Sequence, residues 1–240
     1  MSAWRKQHNA DAYVDEVRGT IPLIVEQIDL LHRIVRASLP HVRNVLDLGC
    51  GDGALAATML DAHPEATAVL VDFSEPMLGR ARSRFAGSSQ AVEIILADLG
   101  SQAWLQKLPP GSRFDVVVSG YAIHHLPNER KQALFREILE MLQPGGLFIN
   151  LEHVATRSPM ARQLFDDMFI DNQTELTRSR GETVNRDEIA RRYHTREDQH
   201  DNILALVEDQ CIWMDAAGFV DVDCYFKILE LAMLAGRRPE

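Results

Sequence analysis

Apolar residues recur at helical spacing across residues 11–39: Val14, Val17, Ile21, Ile24, Ile28, Leu31 and Val35. Pro22 interrupts that stripe and predicts a break with a second helix start. Residues 1–40 therefore read as a helical cap. From residue 41 the pattern changes to short apolar runs separated by helical stretches. The runs are residues 42–48, Val69–Asp72, Val92–Leu96, Phe114–Ser119 and Leu147–Leu151. Such runs suit strands buried on both faces. Between them, residues 54–60 are good helix formers. Ser74 is placed to cap a helix carrying Pro76 in its first turn. Glu129 to Met141 puts Leu134, Phe135, Ile138 and Leu142 on one face.

This alternation predicts an α/β fold: a Rossmann-like doubly wound sheet, mostly parallel, with its core over residues 41–154. Residues 155–210 break the rhythm. They are polar, with isolated clusters such as Leu164-Phe165 and Met168-Phe169, and read as a helical insertion on the substrate side. Residues 211–240 read as a terminal helix and a C-terminal antiparallel strand pair, Val220–Tyr225 and Ile228–Ala235, completing the core.

The first strand runs into Asp47-Leu48-Gly49-Cys50-Gly51-Asp52-Gly53. Alternate glycines permit positive φ and let a ligand reach the backbone without meeting a Cβ. A helix follows, so the loop presents a ligand to a helix N-terminus. Gly49 to Ala54 also satisfies the G-x-G-x-x-A dinucleotide fingerprint. Asp47 and Asp52 weigh against it, because Asp52 would repel a pyrophosphate. Carboxylates suit a cofactor that carries an ammonium and a sulfonium. Further carboxylates close later strands: Asp72, 19 residues beyond Gly53, and Asp98. Two acceptor oxygens on Asp72 can take both hydroxyls of a ribose.

In order and spacing these pieces resemble motif I and the following strand ends of the class I S-adenosylmethionine-dependent methyltransferases, over about residues 42–152. The resemblance implies S-adenosyl-L-methionine as cofactor. It implies a cradle of Asp47, Gly49, Cys50, Gly51 and Gly53, with Asp72 on the ribose. Phe73 and Met77 would pack on the adenine or ribose. Asp98 would face the adenine amino group beside Leu99. Ser119 and His124, in the loop after the fourth strand, would flank the methionine part. A wider resemblance extends to the carboxy-S-adenosylmethionine synthases and the related tRNA wobble-uridine methyltransferase-like proteins. It is carried by Ile21-Pro22, Ser74–Leu78, Ala133–Gly146 and residues 216–236. It implies an alternative reaction of S-adenosylmethionine with prephenate, with a carboxylate-holding arginine near Arg196.

Methyl transfer needs a nucleophile aligned with the methyl group, and a base only if that nucleophile carries a proton. The candidate catalytic residues are His124, Glu152 and His153, near strand ends. His124 and His125 are adjacent, so only one is expected to face the cofactor. Glu152-His153 offers two adjacent donors without a third, so no metal is expected. Tyr13, Phe165, Phe169 and Arg196 are candidates for the substrate wall. The other arginines of the insertion read as a solvated helix face paired with acids.

Net charge is −10, from 25 basic and 35 acidic residues among 240. That argues against a nucleic-acid partner, which needs a basic footprint, and for a small-molecule acceptor. The three cysteines show no metal or disulfide spacing, and residues 1–8 hold no apolar signal core. A cytoplasmic protein without membrane spans is expected, with a homodimer compatible. Two other classes stay open: a non-catalytic cofactor-binding partner subunit and an NAD-dependent oxidoreductase.

Overall fold

The computed structural model describes residues 6–7 and 18–240. Tyr13 and most of the first half of the cap lie outside the described residues. The helix start expected after Pro22 is present. A 3-10 turn at Arg18–Thr20 precedes it, and helix α1 (Ile24–Ser38) starts just after. The Gln27 side-chain amide donates to Pro22 O at 2.8 Å, tying the new helix to the break.

The core alternates as expected: β1 (Asn44–Leu48), α2 (Ala54–Ala62), β2 (Thr67–Asp72), α3 (Glu75–Phe85), β3 (Val92–Leu96), β4 (Phe114–Gly120), α4 (Asn128–Met141) and β5 (Leu142–His153). Helices α5 (Pro159–Ser179) and α6 (Arg186–Thr195) form the insertion. Helix α7 (Val207–Ala217) leads to β6 (Val220–Ile228) and β7 (Leu231–Arg237). Two boundaries are corrected. Helix α7 begins inside the stretch read as insertion, because Val207 and Met214 pack on the sheet. The final hairpin turns at Leu229-Glu230, which the apolar pattern had absorbed into the last strand.

The seven strands order as β3-β2-β1-β4-β5-β7-β6. β1 to β5 are parallel; β7 pairs antiparallel with β5, and β6 with β7. Helices α1, α2 and α3 cover one face through Leu31, Val35, Met59 and Leu78. Helices α4 and α7 cover the other through Leu134, Phe135, Ile138 and Met214. Local signals agree with this layering. Ser74 Oγ accepts from Met77 N, Ser158 Oγ caps α5, and α7 ends on Gly218 at φ 108°.

The chain leaves β1 outward through β2 and β3, then returns to pair β4 on the other side of β1. At that switch point the loops after β1 and β4 splay apart and leave a crevice. Among the described residues, no helix is long and apolar enough to cross a membrane.

Candidate functional site

The crevice opens into a cavity of about 1200 Å³. That exceeds the usual span of a site for one small ligand, roughly 300–1,000 Å³. It has two chemically different ends.

The first end is the glycine loop. Gly49, Gly51 and Gly53 all have positive φ: 66°, 55° and 78°. At Gly49 a side chain is also excluded by space, since an added Cβ would lie 2.2 Å from Ala122 Cβ. The loop is held by backbone bonds from Gly49 N and Cys50 N to Val71 O. Beneath it, Asp47 accepts from Ala56 N at 3.0 Å and its other oxygen is buried without a partner. Burial raises the Asp47 carboxyl to about 7, with Asp72 and Asp52 adding repulsion. Asp52 is balanced by Arg84, whose Nη2 lies 2.5 Å away.

Asp72 sits at the end of β2. Its Oδ2 accepts from Gly51 N at 2.9 Å and its Oδ1 from Ser74 N at 2.7 Å. Burial raises its pKa, while those backbone donors pull it down. Each oxygen keeps a lone pair beyond its backbone bond, and the residue lines the cavity with Phe73, Met77, Asp98 and Leu99. The backbone that lines the cavity at Gly49 and Gly51 and the acceptor pair on Asp72 fit an adenosyl cofactor bearing a ribose diol.

The second end is a histidine cluster. His124 Nδ1 lies 2.7 Å from Glu152 Oε1. Glu152 also accepts from Asn150 Nδ2 and His153 N. Burial holds the His124 imidazole well below its usual value and pushes Glu152 up to about 7. With His124 neutral and Nδ1 donating to Glu152, Nε2 carries the lone pair. His153 Nε2 is 3.1 Å from Glu230 Oε2, and the His124 and His153 rings meet at 5.6 Å. All three candidate catalytic residues are therefore brought together.

From His153 a line of rings follows the insertion. His153–Phe165 is 5.2 Å, Phe165–Phe169 6.0 Å and Phe169–Tyr193 5.5 Å between centroids. Arg196 ends the line, its guanidinium 4.0 Å over the Tyr193 ring. Phe165, Phe169 and Arg196 all line the cavity, and Ile21, Ile24 and Ile28 face it from the cap. The exposed arginines behave as a solvated face. Arg186 pairs with Asp167 and Asp171, and Arg192 with Glu188. Such exposed pairs contribute little.

Two expectations are corrected. Ser119 does not line the cavity; it is fully buried, and its hydroxyl donates to Leu48 O at 2.8 Å, joining β4 to β1. Replacing Ser119 by Ala should cost about 0.5–1.5 kcal/mol of stability in urea unfolding while leaving ligand affinity unchanged. A matching loss of affinity would contradict this placement. Asp47, Gly53 and Glu152 stand behind the lining residues rather than among them, so they act by holding the loop and the imidazole. His124 and His125 both line the cavity. A 3-10 turn at Ile123–His125 sets their rings 4.0 Å apart instead of on opposite faces. His125 Nδ1 lies 3.2 Å from Asp201 O, and Ile203 N donates to His124 O, so residues 201–203 are pinned over this loop.

Glu230 and the cap-docking role of Tyr121, a residue of the loop expected to flank the methionine part, were not foreseen. Tyr121 has φ 55°, and its hydroxyl donates to Gln27 Oε1 at 2.5 Å, docking the cap. Its signal was faint. Glu230 was the one acid inside the apolar stretch Ile228–Ala235, and that was a readable mark.

Residues 45–146 match a family described as a methyltransferase domain. A demethylmenaquinone methyltransferase of Leptospira interrogans is 32% identical over 148 residues, 58% of each chain. The match thus spans little more than half of that relative. A carboxy-S-adenosyl-L-methionine synthase of Nautilia profundicola is 21% identical over 220 residues, 91% of this chain and 87% of the relative. Among solved structures, the N-methyltransferase NodS of Bradyrhizobium japonicum, in complex with S-adenosyl-L-homocysteine, superposes with a TM-score of 0.62. It covers 98% of this chain and 100% of NodS at 15% identity, a likeness of fold.

Proposed function

We propose that this chain, whose core is a class I methyltransferase domain, is an S-adenosylmethionine-dependent methyltransferase acting on a small-molecule acceptor. The observation that carries this reading is the single cavity with two ends. A glycine loop with Asp72 forms one, and a histidine cluster beside an apolar wall forms the other.

When bound, S-adenosylmethionine supplies an electrophilic methyl group on a sulfonium that is already a good leaving group. The work left to the protein is alignment and exclusion of water. Asp72 takes the ribose hydroxyls. Phe73 and Met77 pack on the nucleoside, with Asp98 and Leu99 at the adenine edge. Gly49 and Gly51 let the chain of the cofactor lie against backbone. Ile21 and Ile24 from the cap, and Phe165 and Phe169 from the insertion, close the acceptor end against solvent. Free thiols at all three cysteines support a reducing, cytoplasmic setting.

A second reading, conversion of the cofactor with prephenate, draws on the likeness to the carboxy-S-adenosylmethionine synthase. Arg196, the residue it would use, is already committed to Tyr193 O at 2.6 Å and to Asp198 at 3.4 Å, which favours methyl transfer. Mass spectrometry of cofactor recovered from the purified protein separates the two. Ordinary S-adenosylmethionine, unchanged when prephenate is added, is expected. A cofactor heavier by one carboxyl group would overturn the methyl-transfer reading.

A further inference from the structure

Glu230 is a buried carboxylate outside the cofactor cradle, and the fold goes to some trouble to put it there. It occupies the second position of the two-residue turn joining β6 and β7, after Leu229 at φ 50°. A positive φ at that place is normally given to glycine, and strain of this kind gathers at functional sites. Val154 N donates to Glu230 O at 2.8 Å, fixing the turn against the end of β5. The side chain is 3% exposed. One oxygen meets His153 Nε2; the other has no hydrogen bond, with Arg162 Nε at 3.5 Å. Burying a carboxylate with so few partners costs stability, and leucine would suit the surrounding apolar cluster of Ile21, Phe165 and Leu231 better.

We propose that His153 takes the proton of the methyl acceptor, that Glu230 is the positioning residue holding its ring, and that the acceptor is a planar apolar compound bearing a hydroxyl group. This rests on the methyl-transfer reading above. Three imidazoles, those of His124, His125 and His153, share this end of the cavity, and their settings differ; His125 Nδ1 is taken up by Asp201 O at 3.2 Å. His124 is enclosed by Glu152, His125 and the turn, deep at the strand ends. His153 instead adjoins Phe165, the first ring of the aromatic line. A flat apolar body lying along Phe165 and Phe169 would bring its hydroxyl to His153, since aromatic faces and edges pack favourably.

A carboxylate on Nε2 keeps the proton there and leaves Nδ1 with the lone pair. The step then balances. The acceptor O–H bond breaks and its proton goes to His153 Nδ1. The oxygen pair forms the new O–CH3 bond. The S–CH3 bond breaks with its electrons staying on sulfur, so the sulfonium charge is replaced by imidazolium. Around His153 stand Glu230 from the hairpin turn, whose other oxygen has Arg162 of α5 at 3.5 Å, the His124 ring from the 3-10 turn, and Glu152, which precedes His153 on β5 and accepts from its backbone N.

The test uses the full chain and begins with calorimetry of S-adenosylmethionine binding. No binding there would overturn the methyl-transfer reading itself, before any acceptor is added. With binding established, 1-naphthol and 4-nitrophenol are compared with aniline and benzylamine as acceptors. Turnover of the phenols is expected; turnover of the amines alone, or of neither set, overturns the acceptor class. His153→Ala should lower kcat by about 10²-fold or more with cofactor affinity kept. Glu230→Gln should lower kcat by a smaller factor and leave KM in place. Glu230→Asp should recover part of the loss. Imidazole nitrogen NMR of the protein without acceptor gives a readout apart from activity. His153 is expected as the Nε2–H tautomer, becoming mixed in Glu230→Gln. An Nδ1–H tautomer in the unaltered protein would overturn the proposal, whether or not the variants fold.

Discussion

Replacing Gly49 by Ala is expected to destabilise the protein by about 2–5 kcal/mol and to abolish cofactor binding. Two costs combine. A left-handed backbone costs a residue with a Cβ roughly 1–2 kcal/mol, and Gly49 sits at φ 66°. The new methyl would also lie 2.2 Å from Ala122 Cβ, and forcing extra volume into a packed contact costs roughly 1–3 kcal/mol. Relief requires Ala122 to move, and Ala122 precedes the turn that carries His124 and His125. Gly51→Ala is the internal control. It shares the positive φ, but its Cβ would meet nothing closer than Met77 Sδ at 4.0 Å, so only the backbone cost applies. Urea unfolding of both variants checks the difference. Equal losses would mean that the loops after β1 and β4 do not abut at Gly49.

Asp72→Ala should weaken S-adenosylmethionine binding by roughly 1.5–3 kcal/mol, or about 10- to 150-fold, the usual size of a lost hydrogen bond to a charged group. The same carboxylate also accepts from Gly51 N and Ser74 N. Its loss therefore loosens the glycine loop and the start of α3 together. Calorimetry on the variant, with thermal unfolding in the same buffer, separates affinity from folding. Unchanged affinity would show that the end of β2 does not face the cofactor.

The parallel core was legible because its strands are buried on both faces, so each shows as an unbroken apolar run with chemistry at its carboxyl end. Asp72 and the glycine loop were readable for that reason: a strand end in such a sheet faces one place. Ser119 misled because the same logic was pushed one residue too far inward. It is still within β4, where a hydroxyl is spent on the neighbouring strand. The insertion was less legible. Phe165 and Phe169 announced an apolar wall, but nothing local in sequence joins His153 to Phe165 or closes the ring line with Tyr193 and Arg196. Those contacts depend on how α5 and α6 lie over the strand ends. The hairpin at Leu229-Glu230 was hidden for another reason. Leucine stands where turn chemistry favours glycine, so the strain that aims Glu230 inward looks from sequence like an uninterrupted strand.

The central claim is that the glycine-loop end of the cavity holds S-adenosylmethionine. Titration calorimetry of the intact protein with S-adenosylmethionine and with S-adenosylhomocysteine tests it most directly. Saturable binding of both at one site per chain, undisturbed by NAD, is expected. No binding of either at high micromolar concentration, or displacement by NAD, would contradict it.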